Sequence, residues 1–207
     1  MTTIASQQNP RLKALRRLQT KRGRAQAGAF VAEGEDLVAA ASRAGSALLE
    51  GFRVAGSGLG GKEFSDVEPR TLAAVSSLGS GSRLIGVYAQ RWETASGPLC
   101  VYLHGVGDPG NVGTVLRSAE AFGASCVALG PGCADPHSPK AVRASMGAIF
   151  TVALARVSGW CLGSALVAVV FALVDRHATE VCLLLACGFA AAGAIVSVSR
   201  FKAHRKN

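Results

Sequence analysis

Two uncharged stretches constrain what this 207-residue chain can become more than any other feature. Residues 157–174 run for 18 positions without a charged side chain and 181–199 for 19, separated only by Asp175-Arg176-His177-Ala178-Thr179-Glu180. As helices, each would span about 27 Å at about 1.5 Å per residue, close to the ~30 Å hydrocarbon core of a bilayer. Neither carries the polar stripe of a surface helix. Residues 157–207 therefore read as an apolar helical hairpin ending in a basic tail (Arg200, Lys202, Arg205, Lys206), with membrane contact through 157–199 and both ends cytoplasmic by the positive-inside rule. Small residues such as Gly159, Gly163, Gly188 and Gly193 would let the helices pack closely. Buried helices of a globular domain, and a poorly packing tail from a gene fusion or shifted reading frame, stay open as alternatives.

The charge lies at the other end. The chain carries 22 Lys+Arg against 13 Asp+Glu, a net +9, although 49% of it is apolar. Seven of those cations fall within the first 24 residues, where there is no acid at all. Leu12, Leu15 and Leu18 recur at three-residue spacing among them, and Asn9-Pro10 supplies a cap and first-turn proline, so a basic amphipathic helix is expected over 10–21. With nothing to neutralise it, Arg11, Lys13, Arg16, Arg17, Lys21 and Arg24 form a candidate phosphate-facing patch. Charge from Arg11 onward without an apolar core behind it argues against a secretory signal and for a cytoplasmic chain. The six cysteines show no zinc spacing and read as buried, reduced thiols; no metal is expected.

Between these ends the pattern is α/β. Residues 30–90 alternate short strands (30–31, 48–54, 84–89) with helices (34–44, 68–77), and Gly56 to Gly61 reads as a flexible turn. A polar segment, 91–98, reads as a linker between domains 1–92 and 98–156. Residues 99–103 then form an apolar strand of the kind buried on both faces of a parallel sheet. The loop 105–113 follows, then a helix over 114–122, a strand over 125–129, a second loop over 130–139, a helix from Lys140 to about Met146, and a strand over 149–154. Ligands of open α/β sheets bind at such carboxyl-end loops. In the first loop the glycines beside Asp108-Pro109 permit close backbone approach, and Asn111 offers a donor and an acceptor. Arg117, in the following helix, serves either as an anion contact beside that helix N-terminus or as a partner for Glu120 at i,i+3. Ser138, Lys140 and Arg143 gather at the second helix start. His137 reads as a surface or capping residue.

These residues carry a resemblance. Residues 103–123 (LHGVGDPGNVGTVLRSAEAFG) and 135–150 (DPHSPKAVRASMGAIF) resemble the first half of the catalytic domain of SpoU-type, or TrmH-like, RNA 2'-O-ribose methyltransferases of the knotted SPOUT class. The N-terminal part, through Ser6, Asn9-Pro10, Lys13, Leu18, Arg24, Phe30-Val31 and Glu33-Gly34, is similar to that family's small L30e-like substrate-binding domain. The resemblance implies methyl transfer from S-adenosylmethionine to a ribose 2'-hydroxyl of ribosomal or transfer RNA. It implies catalytic roles for Asn111 and Arg117, and RNA contacts from the N-terminal cations with Ser138, Lys140 and Arg143. Family members pair as homodimers through C-terminal elements. The fold it implies is an L30e-like domain plus an incomplete SPOUT domain, 98–156, with a hydrophobic helical tail.

Two family motifs are missing after Val157: a Gly-Asn-Glu-Gly-like loop, and an Ile-Pro-Met strand leading to a Ser-Leu-Asn-Val-Ser helix, which together supply most of the cofactor pocket. Three readings therefore stand side by side: a methyltransferase, a non-catalytic RNA-binding relic, and a membrane-tethered RNA-binding protein.

Overall fold

The computed structural model describes residues 3–77 and 81–157. The expected apolar hairpin and basic tail lie outside the described residues, and among the described ones no helix is long and apolar enough to cross a membrane.

The expected basic helix is two helices, α1 (Pro10–Arg17) and α2 (Lys21–Ala27). Asn9 caps the first through Arg11 N, and Thr20 caps the second through Gly23 N. The break brings residue 23 against the end of α1, where a Cβ would stand 1.9 Å from the Arg17 carbonyl oxygen, so only glycine fits there. The three leucines behave as their spacing predicts. Leu12, Leu15 and Leu18 bury against Val31, Phe52, Val67, Leu72 and Ile85.

Next come β1 (Ala29–Glu33), α3 (Glu35–Arg43), β2 (Leu48–Val54), β3 (Phe64–Val67), α4 (Pro69–Ala73) and β4 (Leu84–Ala89). Their sheet has the order β1-β4-β2-β3, antiparallel except where β3 runs parallel to β2. Strand β3 escapes sequence reading because Phe-Ser-Asp-Val is short and half polar; register against β2 and an Ile4 bridge to Val67 make it a strand.

The second sheet is parallel, in the order β5 (Cys100–Leu103), β6 (Cys126–Leu129), β7 (Ala153–Arg156). Helix α5 (Pro109–Ala121) joins the first two strands; α6 (Pro139–Ala144) and a 3-10 turn (Ala148–Phe150) join the last two. Two expectations change here. Strand β5 is an edge strand among the described residues, with Cys100 and Tyr102 exposed rather than buried on both faces. Cys100 Sγ lies 2.9 Å from Cys126 Sγ on the neighbouring strand. The strand expected over 149–154 is a 3-10 turn followed by β7, because Met146 (φ +51) and Gly147 (φ +105) reverse the chain first.

Residues up to Arg156 cluster as one compact unit. Phe30, Leu37 and Tyr88 from the first half share a core with Leu116, Val127 and Ile149 from the second. The polar segment 91–98 is pinned within it. Glu93 N donates to the Leu154 carbonyl (2.7 Å), and the Trp92 ring packs edge-on against His137 and beneath the Arg156 guanidinium.

Candidate functional site

Helices α5 and α6 meet where Gly113 faces Ala141. A Cβ on residue 113 would lie 2.3 Å from the Ala141 carbonyl oxygen and 2.7 Å from Ala144 Cβ, so only glycine allows this approach. The contact carries Arg117 of α5 and Arg143 of α6 to one groove of about 700 Å³, lined also by Thr114, Ser138, Lys140, Met146 and Ser77. Arg117, Ser138, Lys140 and Arg143 are thus brought together as expected.

Helix α5 begins at Pro109, so most of the expected loop 105–113 is its first turn. The N-terminus is not left open for an anion. Asp108 caps it, accepting from Asn111 N at 3.0 Å, and its other oxygen accepts from Lys140 Nζ at 2.5 Å. The Lys140 ammonium, with Asn111 N, holds the Asp108 carboxyl below the usual carboxylate range. Lys140 is therefore a clasp between the two helix starts before it is a phosphate contact. Asn111 is exposed and is not among the groove-lining side chains. Arg117 is exposed and does not pair with Glu120 among the described residues; the Glu120 carboxylate accepts from Thr151 Oγ1 instead. Arg143 is likewise exposed without an ion pair among the described residues.

Ser77 reaches the groove from the N-terminal half. Glu33, at the end of β1, accepts from Ser77 N (2.9 Å) and Ser77 Oγ (2.7 Å), and also from Ser76 Oγ and Gln19 Nε2. Neither serine stands out in sequence. The acidic residue of Glu33-Gly34 at a strand end, far from any basic neighbour, is the one signal that a carboxylate is needed there.

The N-terminal cations divide. Lys13, Arg17 and Lys21 are exposed, as a phosphate-facing patch requires. Arg11 is engaged by Glu50 and lies over the Phe52 ring, and Arg16 donates to Gln7. Arg24 corrects the expectation outright. It is 3% exposed, donates to the Leu18 and Gln19 carbonyls, and forks through Nε (2.9 Å) and Nη2 (2.7 Å) onto Asp135 Oδ2. A guanidinium buried to 3% exposure, with all three nitrogens hydrogen-bonded inside the fold, is not presented to RNA. Asp135 meanwhile accepts from His137 N through Oδ1, shaping the loop that ends in Ser138, the α6 cap.

His137 is not a surface residue. It is 2% exposed between Phe30 and Trp92, with centroid distances of 4.9 and 5.2 Å. Burial pushes its imidazole down to about 4, against the pull of Asp135, so it is neutral at pH 7. Among the described residues its Nδ1 has no hydrogen-bond partner.

Comparison with known proteins agrees with this layout. Residues 98–168 match the SpoU rRNA methylase family, and residues 9–77 match the MRM3-like substrate binding domain. The chain carries a SpoU methylase region behind an MRM3-like substrate-binding region. It is 28% identical over 162 residues to the 23S rRNA (guanosine(2553)-2'-O)-methyltransferase RlmP of Bacillus subtilis, a match covering 75% of this chain and 65% of that protein. An uncharacterized tRNA/rRNA methyltransferase of Synechocystis is 31% identical over 162 residues, covering 71% of this chain and 59% of its own length. The chain thus spans less than two thirds of these SpoU relatives. Among solved structures, the AdoMet-bound rRNA methyltransferase from Sinorhizobium meliloti superposes with a TM-score of 0.67 at 30% identity, covering 77% of this chain and 66% of that one. The mixed α/β architecture is therefore that of SpoU methyltransferase structures.

Proposed function

We propose that this chain is an RNA 2'-O-ribose methyltransferase acting on ribosomal or transfer RNA, with S-adenosylmethionine as the methyl donor. The observation that carries the reading is the groove: two arginines without ion pairs among the described residues, Arg117 and Arg143, line it together with Ser77 of the substrate-binding half. The donor supplies an electrophilic methyl carbon. The described groove, with its cationic wall, supplies the acceptor side of the reaction, and the two family motifs that would cradle the donor do not occur after Val157.

On the acceptor side the roles follow from charge and position. A guanidinium stays protonated at neutral pH and cannot act as the base. Arg117 instead stabilises negative charge developing on the ribose 2'-oxygen, and Arg143 holds the neighbouring phosphate. Ser138 caps α6 and Lys140 clasps Asp108, fixing the two helix starts that carry the arginines. Asn111 belongs to this catalytic reading as the polar side chain on the first turn of α5, three residues before groove-lining Thr114. Lys13, Arg17 and Lys21 position the RNA backbone without reading sequence.

The finer architecture belongs to the same proposal: an L30e-like part over 1–92, the first half of a SPOUT domain over 98–156, and a hydrophobic tail over 157–207. Membrane contact through 157–199 is favoured by the two uncharged runs, and liposome flotation of the full chain tests it. Light scattering of the same material tests the homodimer.

The enzymatic reading is tested by transfer of labelled methyl from S-adenosylmethionine to unmodified ribosomal and transfer RNA. Arg117→Ala is expected to lower kcat about 10²- to 10³-fold, the usual loss on removing a group that stabilises a developing oxyanion. Unchanged turnover would remove Arg117 from the site. Calorimetry showing no S-adenosylmethionine binding to the full chain would favour the RNA-binding relic.

A further inference from the structure

The turn that leaves α6 contains a residue the fold alone does not explain. Met146 has φ +51, and among the described residues it is the one non-glycine in the left-handed region. Its neighbour Gly147 follows at φ +105. At position 147 glycine is required twice over, by conformation and because a Cβ would stand 2.7 Å from Ala40 Cβ. Position 146 has the same conformational preference for glycine, or for asparagine, as the residue that ends a helix. The chain places a methionine there.

Burial does not repay it. Met146 is 57% exposed, and its side chain lines the groove shared by Arg117, Lys140 and Arg143. Its amide donates to the Arg143 carbonyl at 3.1 Å, so the thioether and the Arg143 guanidinium are presented by one rigid turn. A flexible apolar side chain held in the open among cations suits neither water nor a simple anion. It suits a nucleotide, which offers an anionic phosphate and an apolar π-face within one unit. The polarizable sulfur adds favourable contact with an aromatic ring.

We propose that Met146 is a base-contacting residue of the groove, on which an unstacked nucleobase of single-stranded RNA lies while Arg143 and Arg117 hold the adjoining backbone. This deepens the RNA reading above and rests on it. A duplex keeps its bases stacked and offers them no such contact, so the residue discriminates single-stranded from double-stranded RNA.

The test uses the full-length protein, a 12-nucleotide oligoadenylate and an RNA duplex carrying the same number of phosphates, with Met146→Gly, Met146→Leu and wild type compared by fluorescence anisotropy. Met146→Gly is expected to weaken oligoadenylate binding about fivefold, the lower end of what loss of one base-stacking side chain costs. It should leave duplex binding unchanged and Met146→Leu close to wild type. Because glycine relieves the left-handed strain, the melting temperature of Met146→Gly is expected to hold or rise by about 1–4 °C. A merely structural methionine would move affinity and stability down together. Equal losses on both RNAs, no loss on either, or a lowered melting temperature would each overturn the proposal. A wild-type chain that binds neither RNA would overturn the RNA reading itself, a different result from any of these.

Discussion

Arg24 and Arg117 are the same residue type in opposite sequence neighbourhoods, one in a basic run and one isolated among apolar residues beside an acid, and the fold gives them opposite work. Arg24 sits in the densest run of positive charge, yet it is sealed inside, forked onto Asp135 and onto two carbonyls at the end of α1. Arg117 has an acid three positions away on its own helix, yet Glu120 turns to Thr151 and leaves Arg117 facing the groove. Charge counted along a chain is thus a poor guide to charge at a surface. Carboxylates distant in sequence decide which cations remain available, and Asp135 lies 111 residues from Arg24.

The sharpest way to break this comparison is at Asp135. Asp135→Ala strands a buried guanidinium, and denaturant unfolding should register a loss of about 3–5 kcal/mol. A loss below about 1 kcal/mol would mean that Arg24 is not committed to the fold. Gly113→Ala attacks the other side by forcing α5 away from α6. About 2–3 kcal/mol of stability should go, as for an overpacked core position, and methyl transfer should fall further than stability explains because Arg117 and Arg143 separate. Activity that survives in the folded fraction would show that the two arginines need not share one groove.

His137 separates the buried region from the exposed one by pH. Its folded-state value near 4 lies below the unfolded value of about 6.5, so the unfolded chain binds more protons between the two. Stability is complete above about pH 6.5 and falls as the pH drops toward 4, by about 2–3 kcal/mol from this group. In His137→Phe that part of the slope should vanish, as followed by unfolding midpoints between pH 7 and 4.5; an unaltered slope would mean that the imidazole is not held neutral. The smallest effects belong to Lys13, Arg17 and Lys21. Each alanine substitution should leave stability unchanged and reduce the slope of log affinity against log salt for single-stranded RNA by about 0.7. In the folded fraction of Arg24→Gln that slope should stay as in the wild type, and a reduced slope would return Arg24 to the RNA surface.

Much of the framework was legible because it is local. Leucines at 12, 15 and 18 mark the buried face of α1 by spacing alone, and the limits of β2 and β4 follow from apolar runs bounded by turn residues. The two motif stretches located the groove, since Arg117, Ser138, Lys140 and Arg143 do converge there. Illegible were the features that depend on what a segment meets. Strand β3 exists through its register with β2, β5 lies at a sheet edge among the described residues, and the turn after α1 depends on a glycine that fits against a carbonyl. Ser77 enters the site through Glu33, a pairing 44 residues apart that no periodicity announces.

Residue identity and spacing were thus enough to establish the α/β class, the cation content and the two loop-helix units, because helices, strands and caps form from neighbours within a few positions. Which charges are sealed and which stay open, and whether a histidine is wet or neutral, depended on partners set tens of residues away. Burial in a low-dielectric interior is a property of the assembled surroundings. The same holds for Met146: its place in the motif is written in the chain, but its left-handed backbone and its exposure in a cationic groove exist only once α5 and α6 have met.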